Sequence, residues 1–229
     1  MKKVLHAIFL FCIINSGIKA QPTVKNIEPT IAYNAFFTEA YQKYPNIPKG
    51  VLEAIAYTQT HIRHINPTTE EQSCTGMPLP YGVMGLFDDG KGIFRENLKT
   101  VAQLSHYDER LIKNDARTNI LAYAAAYNEI LNVRRITSTN PSDHISIIAT
   151  LSELPLEVNS IDNFALDAHL YSILRFLEDR DHQSRFGFSD YQMDLRKTFG
   201  VNYSVLSAKS VVITEENISS RMFQRFKQE

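Results

Sequence analysis

Tryptophan is absent from the 229-residue sequence, and cysteine occurs only twice. Cys12 lies in the apolar N-terminal stretch, so Cys74 is the single cysteine outside it, and an internal disulfide scaffold is excluded. Internal repeats and low-complexity stretches are also lacking. The formal net charge is only −1, so no basic field favours nucleic acid as a partner. The chain instead has an ordinary globular composition, 44% hydrophobic, which is enough for one packed core.

The N-terminus has the pattern of a signal peptide. Lys2 and Lys3 precede the apolar run Val4 to Ile14, which is too short to span a membrane as a mature helix. Small residues follow, and a cleavage site is predicted after Ala20. We therefore expect residues 1–20 to be removed and the mature chain to be secreted or periplasmic, without a stable membrane anchor. An uncleaved N-terminal anchor is the alternative.

Apolar residues recur at helical spacing along most of the chain, which predicts a mainly α fold. Prolines and capping residues interrupt this spacing and set the predicted helix ends. The predicted helices are Tyr33–Tyr44, Pro48–Ile65, Phe94–Ser105, Asp108–Lys113, Ala116–Val133, Asn140–Leu151, Ile161–Glu178 and Asp190–Phe199.

The predicted helices form one domain, residues 33–200, which follows a linker at residues 21–32. A long loop, residues 66–93, interrupts the domain, and a loop of this length in a compact domain is usually functional. Residues 201–229 form a short C-terminal extension that contains a β-prone run at residues 211–213. One interpretation of this extension is the start of a further domain.

Four motifs in the first half of the chain resemble the lysozyme-like soluble lytic transglycosylases. Residues 51–60, VLEAIAYTQT, are similar to the first helix of that family, which carries an A-I-A-x-x-E-S run. Residues 81–87, YGVMGLF, resemble its G-A-x-G-L-M-Q loop, which forms one wall of the glycan cleft. Residues 115–120, DARTNI, and 122–127, AYAAAY, resemble its D-P-x-x-N-I and G-A-x-Y-L segments. The motifs occur in the family's order, so the resemblance implies a lysozyme-like helical domain.

A closer resemblance is to the N-terminal, lysozyme-like region of secreted N-acetylmuramoyl-L-alanine amidases from Bacteroidetes-type bacteria. It rests on residues 44–54, YPNIPKGVLEA, residues 73–76, SCTG, residues 81–86, YGVMGL, and residues 119–127, NILAYAAAY. In such proteins a zinc amidase domain follows, but the amidase zinc ligands have no matching positions in this sequence. The resemblance therefore implies a cell-envelope context associated with cell-wall amidases, and no cofactor is expected.

Gln59 stands where the transglycosylase family has its catalytic glutamate, the general acid that cleaves glycan. An amide cannot release a proton at any usable pH, yet it can hydrogen-bond sugar hydroxyls. The resemblance therefore implies a degenerate domain, without a catalytic residue, whose partner is the glycan strand of peptidoglycan. The expected substrate-binding residues are Gln59, Tyr81, Met84, Gly85 and Tyr123. The alternative interpretation of Gln59 is a polar residue at the core edge that binds no ligand.

Two other functions stay open from the sequence. An active lytic enzyme would need a displaced acid, for which Glu70 and Glu71 of the long loop are the candidates. Glu53 is six residues before Gln59, about 120° away around the helix, and is expected to face solvent. An envelope protein-interaction domain would have lost glycan binding as well as catalysis.

A zinc site is a weaker interpretation of His61 and His64, which are three residues apart on one helix, together with Cys74. A fourth ligand is not indicated, and histidines at a helix end also suit the helix dipole. We therefore expect no metal. The oligomeric state is left open by the sequence.

Overall fold

The computed structural model describes residues 29–67, 78–88, 95–154, 160–213 and 218–220. Within these ranges the fold is mainly helical, as predicted, and strands are few. The helices are α1 (Pro29–Lys43), α2 (Val51–Thr60), α3 (Asn97–Ser105), α4 (Glu109–Asn114), α5 (Ala116–Arg134), α6 (Ile145–Ser152), α7 (Ser160–Glu178), α8 (Arg180–Phe186), α9 (Leu195–Phe199) and α10 (Tyr203–Leu206). Two 3₁₀ helices span Pro141–His144 and Gly200–Asn202, and strands β1 (Val211–Ile213) and β2 (Ile218–Ser220) pair antiparallel.

Helix α5 lies in the centre of the core, where it packs against α1, α3, α4 and α6. Asp115 caps its N-terminus, because the Asp115 side chain accepts a hydrogen bond from the backbone N–H of Thr118 at 2.7 Å. Ala122, Ala124 and Ala126 are fully buried, and side chains this small let the neighbouring helices approach closely. The helix therefore forms the platform on which the rest of the domain is built.

A buried polar pair joins the first turn of α2 to α1. The Tyr41 hydroxyl accepts a hydrogen bond from the Leu52 backbone N–H at 3.1 Å and donates one to the Glu53 carboxyl at 2.5 Å. Glu53 is only 4% exposed, so the prediction that it faces solvent is wrong. All of Val51–Ala56 is buried, which leaves this half of α2 without a solvent face for a charged residue to occupy.

Helix α2 is shorter than predicted, since it ends at Thr60 rather than at Ile65. The next two residues, His61 and Ile62, adopt left-handed backbone conformations with φ of 53° and 58°. Such conformations are incompatible with a continuing right-handed helix, so the chain leaves the helix here, before the proline that was expected to stop it.

Other boundaries also differ from the predicted ones. Helix α1 begins at Pro29, inside the segment predicted as a linker, and the helix predicted over residues 190–199 is limited to α9. Helix α8 was not predicted; it follows Asp179, whose side chain caps two backbone N–H groups. The β-prone run at residues 211–213 is strand β1. Among the described residues, no helix is long and apolar enough to cross a membrane.

Candidate functional site

A tight turn, residues 81–86, lies within the segment predicted as a long loop and is held in place by α5. Tyr81 and Leu86 exchange two backbone hydrogen bonds, of 2.6 and 3.0 Å. The Asn119 side chain of α5 accepts a hydrogen bond from the Met84 backbone N–H at 2.7 Å and donates one to the Ile112 carbonyl at 3.0 Å. Because Asn119 is fully buried, these bonds fix the turn against the core.

The C-terminal end of α2 packs directly on this turn. The Thr60 hydroxyl lies 2.6 Å from the Val83 carbonyl oxygen, to which it donates a hydrogen bond. A Cβ atom placed on Gly85 would lie 2.5 Å from the Cβ of Gln59, which is closer than real Cβ atoms approach one another. The absence of a side chain at Gly85 therefore allows α2 to reach the turn, and it brings two of the predicted site residues together.

The Gln59 amide lies beside His169 of α7, with 3.4 Å between the two Nε2 atoms. Burial, together with the positive charge of Arg95, lowers the pKa of His169 to about 4. His169 is therefore neutral at physiological pH, and a neutral imidazole nitrogen can accept a hydrogen bond from the Gln59 amide. At 3.4 Å such a bond is long and weak.

Arg95 supplies a fixed positive charge near this pair. Its guanidinium donates to the Ser152 carbonyl at 3.1 Å and lies with its Cζ 4.0 Å from the centre of the Phe87 ring. Burial lowers the pKa of Arg95 to about 10, so the group is still protonated at neutral pH. Its charge acts on both His169 and Tyr123, which places the three side chains in one electrostatic neighbourhood.

The five residues predicted to bind substrate differ in their exposure. Gln59 and Tyr81 are half-buried, whereas the side chains of Met84 and Tyr123 are 1% and 3% exposed and belong to the core. The ring of Tyr81 lies 5.1 Å from the Lys113 ammonium. Gln59 therefore contacts Gly85 at a buried position of the turn, and Met84 and Tyr123 are too buried to contact a ligand directly.

A groove lies between α2 and α7, and neither Gln59 nor His169 is among its lining residues. Two lining residues lie near this pair in the chain. Thr58 directly precedes Gln59, and Ser172 is one helical turn from His169. The groove encloses about 400 Å³. Its lining residues are Tyr57, Thr58, His61, Ser172, Arg175, Phe176, Asp179 and His182.

Aromatic rings cluster on one side of this groove. The Tyr57 ring lies 5.0 Å from the His61 ring, 5.1 Å from the His182 ring and 5.2 Å from the Phe176 ring, measured between centroids. Phe176 and His182 are stacked at 4.0 Å. The groove therefore combines aromatic faces with hydroxyl, guanidinium and carboxylate groups. Such a surface can bind a ligand that has both an apolar face and hydroxyl groups.

Two residues of this region, His169 and Arg95, were missed by the sequence reasoning. The apolar pattern of α7 predicts the helix but does not indicate which polar residue faces α2, and Arg95 follows a loop with no regular pattern. The displaced-acid candidates Glu70 and Glu71, and also Cys74, lie outside the described residues.

Comparisons of the chain with protein-family models, with curated proteins and with solved structures give no match.

Proposed function

We propose that this chain binds the glycan strands of peptidoglycan in the groove between α2 and α7, as a degenerate, lysozyme-like domain of the lytic transglycosylase type. The observation that carries the proposal is the contact between Gln59 and Gly85, with the Gln59 amide beside His169. It joins the helix that resembles the family's first helix to the turn that resembles one wall of a transglycosylase cleft.

The chemistry at Gln59 favours binding over cleavage. A glycosidase-type mechanism needs a group that holds a proton near neutral pH and then releases it to the glycosidic oxygen. The Gln59 amide has no such proton, and His169, with a pKa of about 4, is almost entirely deprotonated at pH 7. Both groups can still exchange hydrogen bonds with sugar hydroxyls.

The groove supplies the surface for such a ligand. Its volume of about 400 Å³ lies within the usual range for ligand sites, roughly 300–1,000 Å³. Tyr57 offers a half-buried ring against which the apolar face of a sugar can pack, while Ser172 and Arg175 are exposed hydrogen-bonding groups. Met84, Gly85 and Tyr123 would hold the floor of the site in place.

This role suits a chain that is exported to the cell envelope after cleavage near Ala20. Tyr81 is half-buried at the start of the turn and would border the same site. An active lytic enzyme and an envelope protein-interaction domain are the competing functions, and one pair of assays separates the three.

The first assay is co-sedimentation of the mature protein with insoluble peptidoglycan. We expect the wild type to sediment and Gln59→Ala to bind about tenfold more weakly, which corresponds to about 1.4 kcal/mol, the size of one or two lost hydrogen bonds. Gln103→Ala, a change of an exposed glutamine on α3, is the matched control and should bind like the wild type.

The second assay is clearing of a murein suspension. The degenerate domain should not clear it, so lysis by the wild type would contradict the proposal in favour of a displaced acid. Failure to sediment, with a folded protein, would instead favour the protein-interaction domain.

A further inference from the structure

A second cavity, of about 470 Å³, lies where α1 meets the first turn of α2. It is separate from the groove described above and shares no lining residue with it. The residues that line it are Asn34, Thr38, Tyr41, Gln42, Lys49, Gly50, Glu53, Phe186 and Gly187.

Tyr41 and Glu53 line this cavity as a fixed polar pair. The short hydrogen bond between them, together with the bond from Leu52 to Tyr41, holds both side chains in one orientation. A carboxyl group offers about four acceptor positions, so the bond from Tyr41 does not exhaust the hydrogen-bonding capacity of Glu53. A ligand would therefore meet a preorganised acceptor rather than a mobile one.

The walls of the cavity differ in chemistry. One wall is a row of exposed amide and hydroxyl groups on α1. Its residues are spaced four apart and therefore lie on one face of the helix: Asn34, Thr38 and Gln42. Phe186, at the end of α8, contributes an aromatic wall. A Cβ on Gly187 would meet nothing within 4 Å, which leaves space beside that ring.

These walls indicate the class of ligand. A pyranose sugar has hydroxyl groups around its edge and an apolar face, which suit the row on α1 and the ring of Phe186 respectively. Lys49 and Glu53 are of opposite charge type, so the lining does not select a ligand of one sign, and the neutral row on α1 and the Phe186 ring set its preference.

We infer that the cavity lined by Tyr41, Glu53 and Thr38 is a second binding site, which takes an uncharged pyranose sugar. Burial raises the pKa of Glu53 to about 7, so near neutral pH this carboxyl is present in both protonation states, able to accept a hydrogen bond from a sugar hydroxyl or to donate one. The inference does not depend on the glycan groove, because none of its residues belongs to that groove.

The test is a titration of the ¹⁵N-labelled mature chain with N-acetylglucosamine, followed by amide NMR. We expect saturable shifts at the backbone amides of Gly50, Glu53 and Gly187.

Thr38→Trp fills the cavity from an exposed position and should abolish these shifts. Ala35→Trp, an equally large change at an exposed α1 residue outside the cavity lining, is the matched control and should leave them intact. Asn34→Trp repeats the block from a second exposed wall position if Thr38→Trp does not fold.

Gln59→Ala should leave the Gly50 and Gly187 shifts unchanged, which separates this site from the groove. Absence of saturable shifts at these amides in the wild type would overturn the inference. Persistence of the shifts in folded Thr38→Trp or Asn34→Trp would overturn it as well, because the sugar would then bind elsewhere.

Discussion

The backbone of Gly85 lies directly against the Cβ of Gln59, and no L-amino acid side chain fits between them. A Cβ on Gly85 would lie 2.5 Å from the Gln59 Cβ and 3.2 Å from the Thr60 Cγ2. Gly85 also has a φ of +66°, a left-handed conformation that favours glycine. The contact fixes the distance between the end of α2 and the turn at residues 81–86, and thereby the position of the Gln59 amide.

Gly85→Ala should therefore be strongly destabilising. The left-handed backbone costs about 1–2 kcal/mol with a Cβ present, and overpacking adds about 1–3 kcal/mol, so we expect a loss of about 2–5 kcal/mol in the free energy of unfolding. Gly187→Ala is the matched control, because Gly187 has a φ of +70° but its Cβ would meet nothing within 4 Å. Urea unfolding measures both, and equal losses in the two variants would show that the contact with Gln59 adds nothing.

The pH dependence of stability should reveal the raised pKa of Glu53. Burial raises its pKa from an ordinary 4.5 to about 7, so the folded state binds this proton more tightly than the unfolded state does. The contribution of Glu53 protonation to the free energy of unfolding is fully present below pH 4.5. It is lost as the pH rises through 7, which lowers the free energy of unfolding by about 3 kcal/mol. Tyr41, its hydrogen-bond partner, stays un-ionised over this range because burial raises its pKa further.

Glu53→Gln removes this titration without removing the acceptor for Tyr41. The wild type should lose stability relative to Glu53→Gln as the pH rises from 4.5 to 8, as measured by urea unfolding at a series of pH values. Glu129→Gln, at an exposed position on α5, serves as the control. A difference between the wild type and Glu53→Gln that does not change with pH would mean that Glu53 titrates normally.

Blocking the groove should weaken glycan binding without touching Gln59. Ser172 is exposed on α7 and lines the groove, so Ser172→Trp places an indole where a sugar would lie. We expect peptidoglycan co-sedimentation to weaken by about tenfold or more. Ser146→Trp, on the exposed face of α6, should bind normally. Unimpaired binding by Ser172→Trp would place the glycan outside this groove.

The mainly α fold was predictable because apolar spacing survives in long helices. Helix α5 was predicted to begin at the correct residue, since Asp115 is a strong N-terminal capping residue, and to end within one residue of its C-terminus, since the apolar face continues to Leu131. Helix α8 was missed because it is only seven residues long and has no buried residue, so it lacks an apolar stripe that a sequence pattern could show.

The candidate site was only partly predictable for a different reason. Gln59 and Gly85 lie in contiguous motifs, so local sequence was enough to select them. The proximity of His169 to Gln59 depends on how α7 packs across α2, and the burial of Glu53 depends on α1 covering the start of α2. Both are tertiary relationships between residues far apart in sequence, and helical periodicity alone does not determine them.

Introducing a carboxyl with Gln59→Glu places it beside His169, about 3.4 Å from the imidazole in the present geometry. A carboxylate at this distance favours the imidazolium, so the pKa of His169 should rise from about 4 by about one to three pH units. Two-dimensional NMR of the imidazole resonances measures this directly. Gln103→Glu, on the exposed face of α3, should leave the His169 pKa unchanged.

The pairing of Glu at position 59 with His169 should also limit any lytic activity of the Gln59→Glu variant. At pH 5, where a His169 with this raised pKa carries a proton, the positive charges of Arg95 and of the imidazolium would favour the ionised form of the new carboxyl, and an ionised carboxylate cannot act as a general acid. Gln59→Glu alone should therefore clear a murein suspension only weakly. Adding His169→Gln removes one of the two positive charges, so the carboxyl holds its proton to higher pH and clearing should increase. Equal or lower clearing by the double variant would show that the pairing with His169 does not limit the acid, and no clearing by either variant would mean that position 59 does not face a bound glycan.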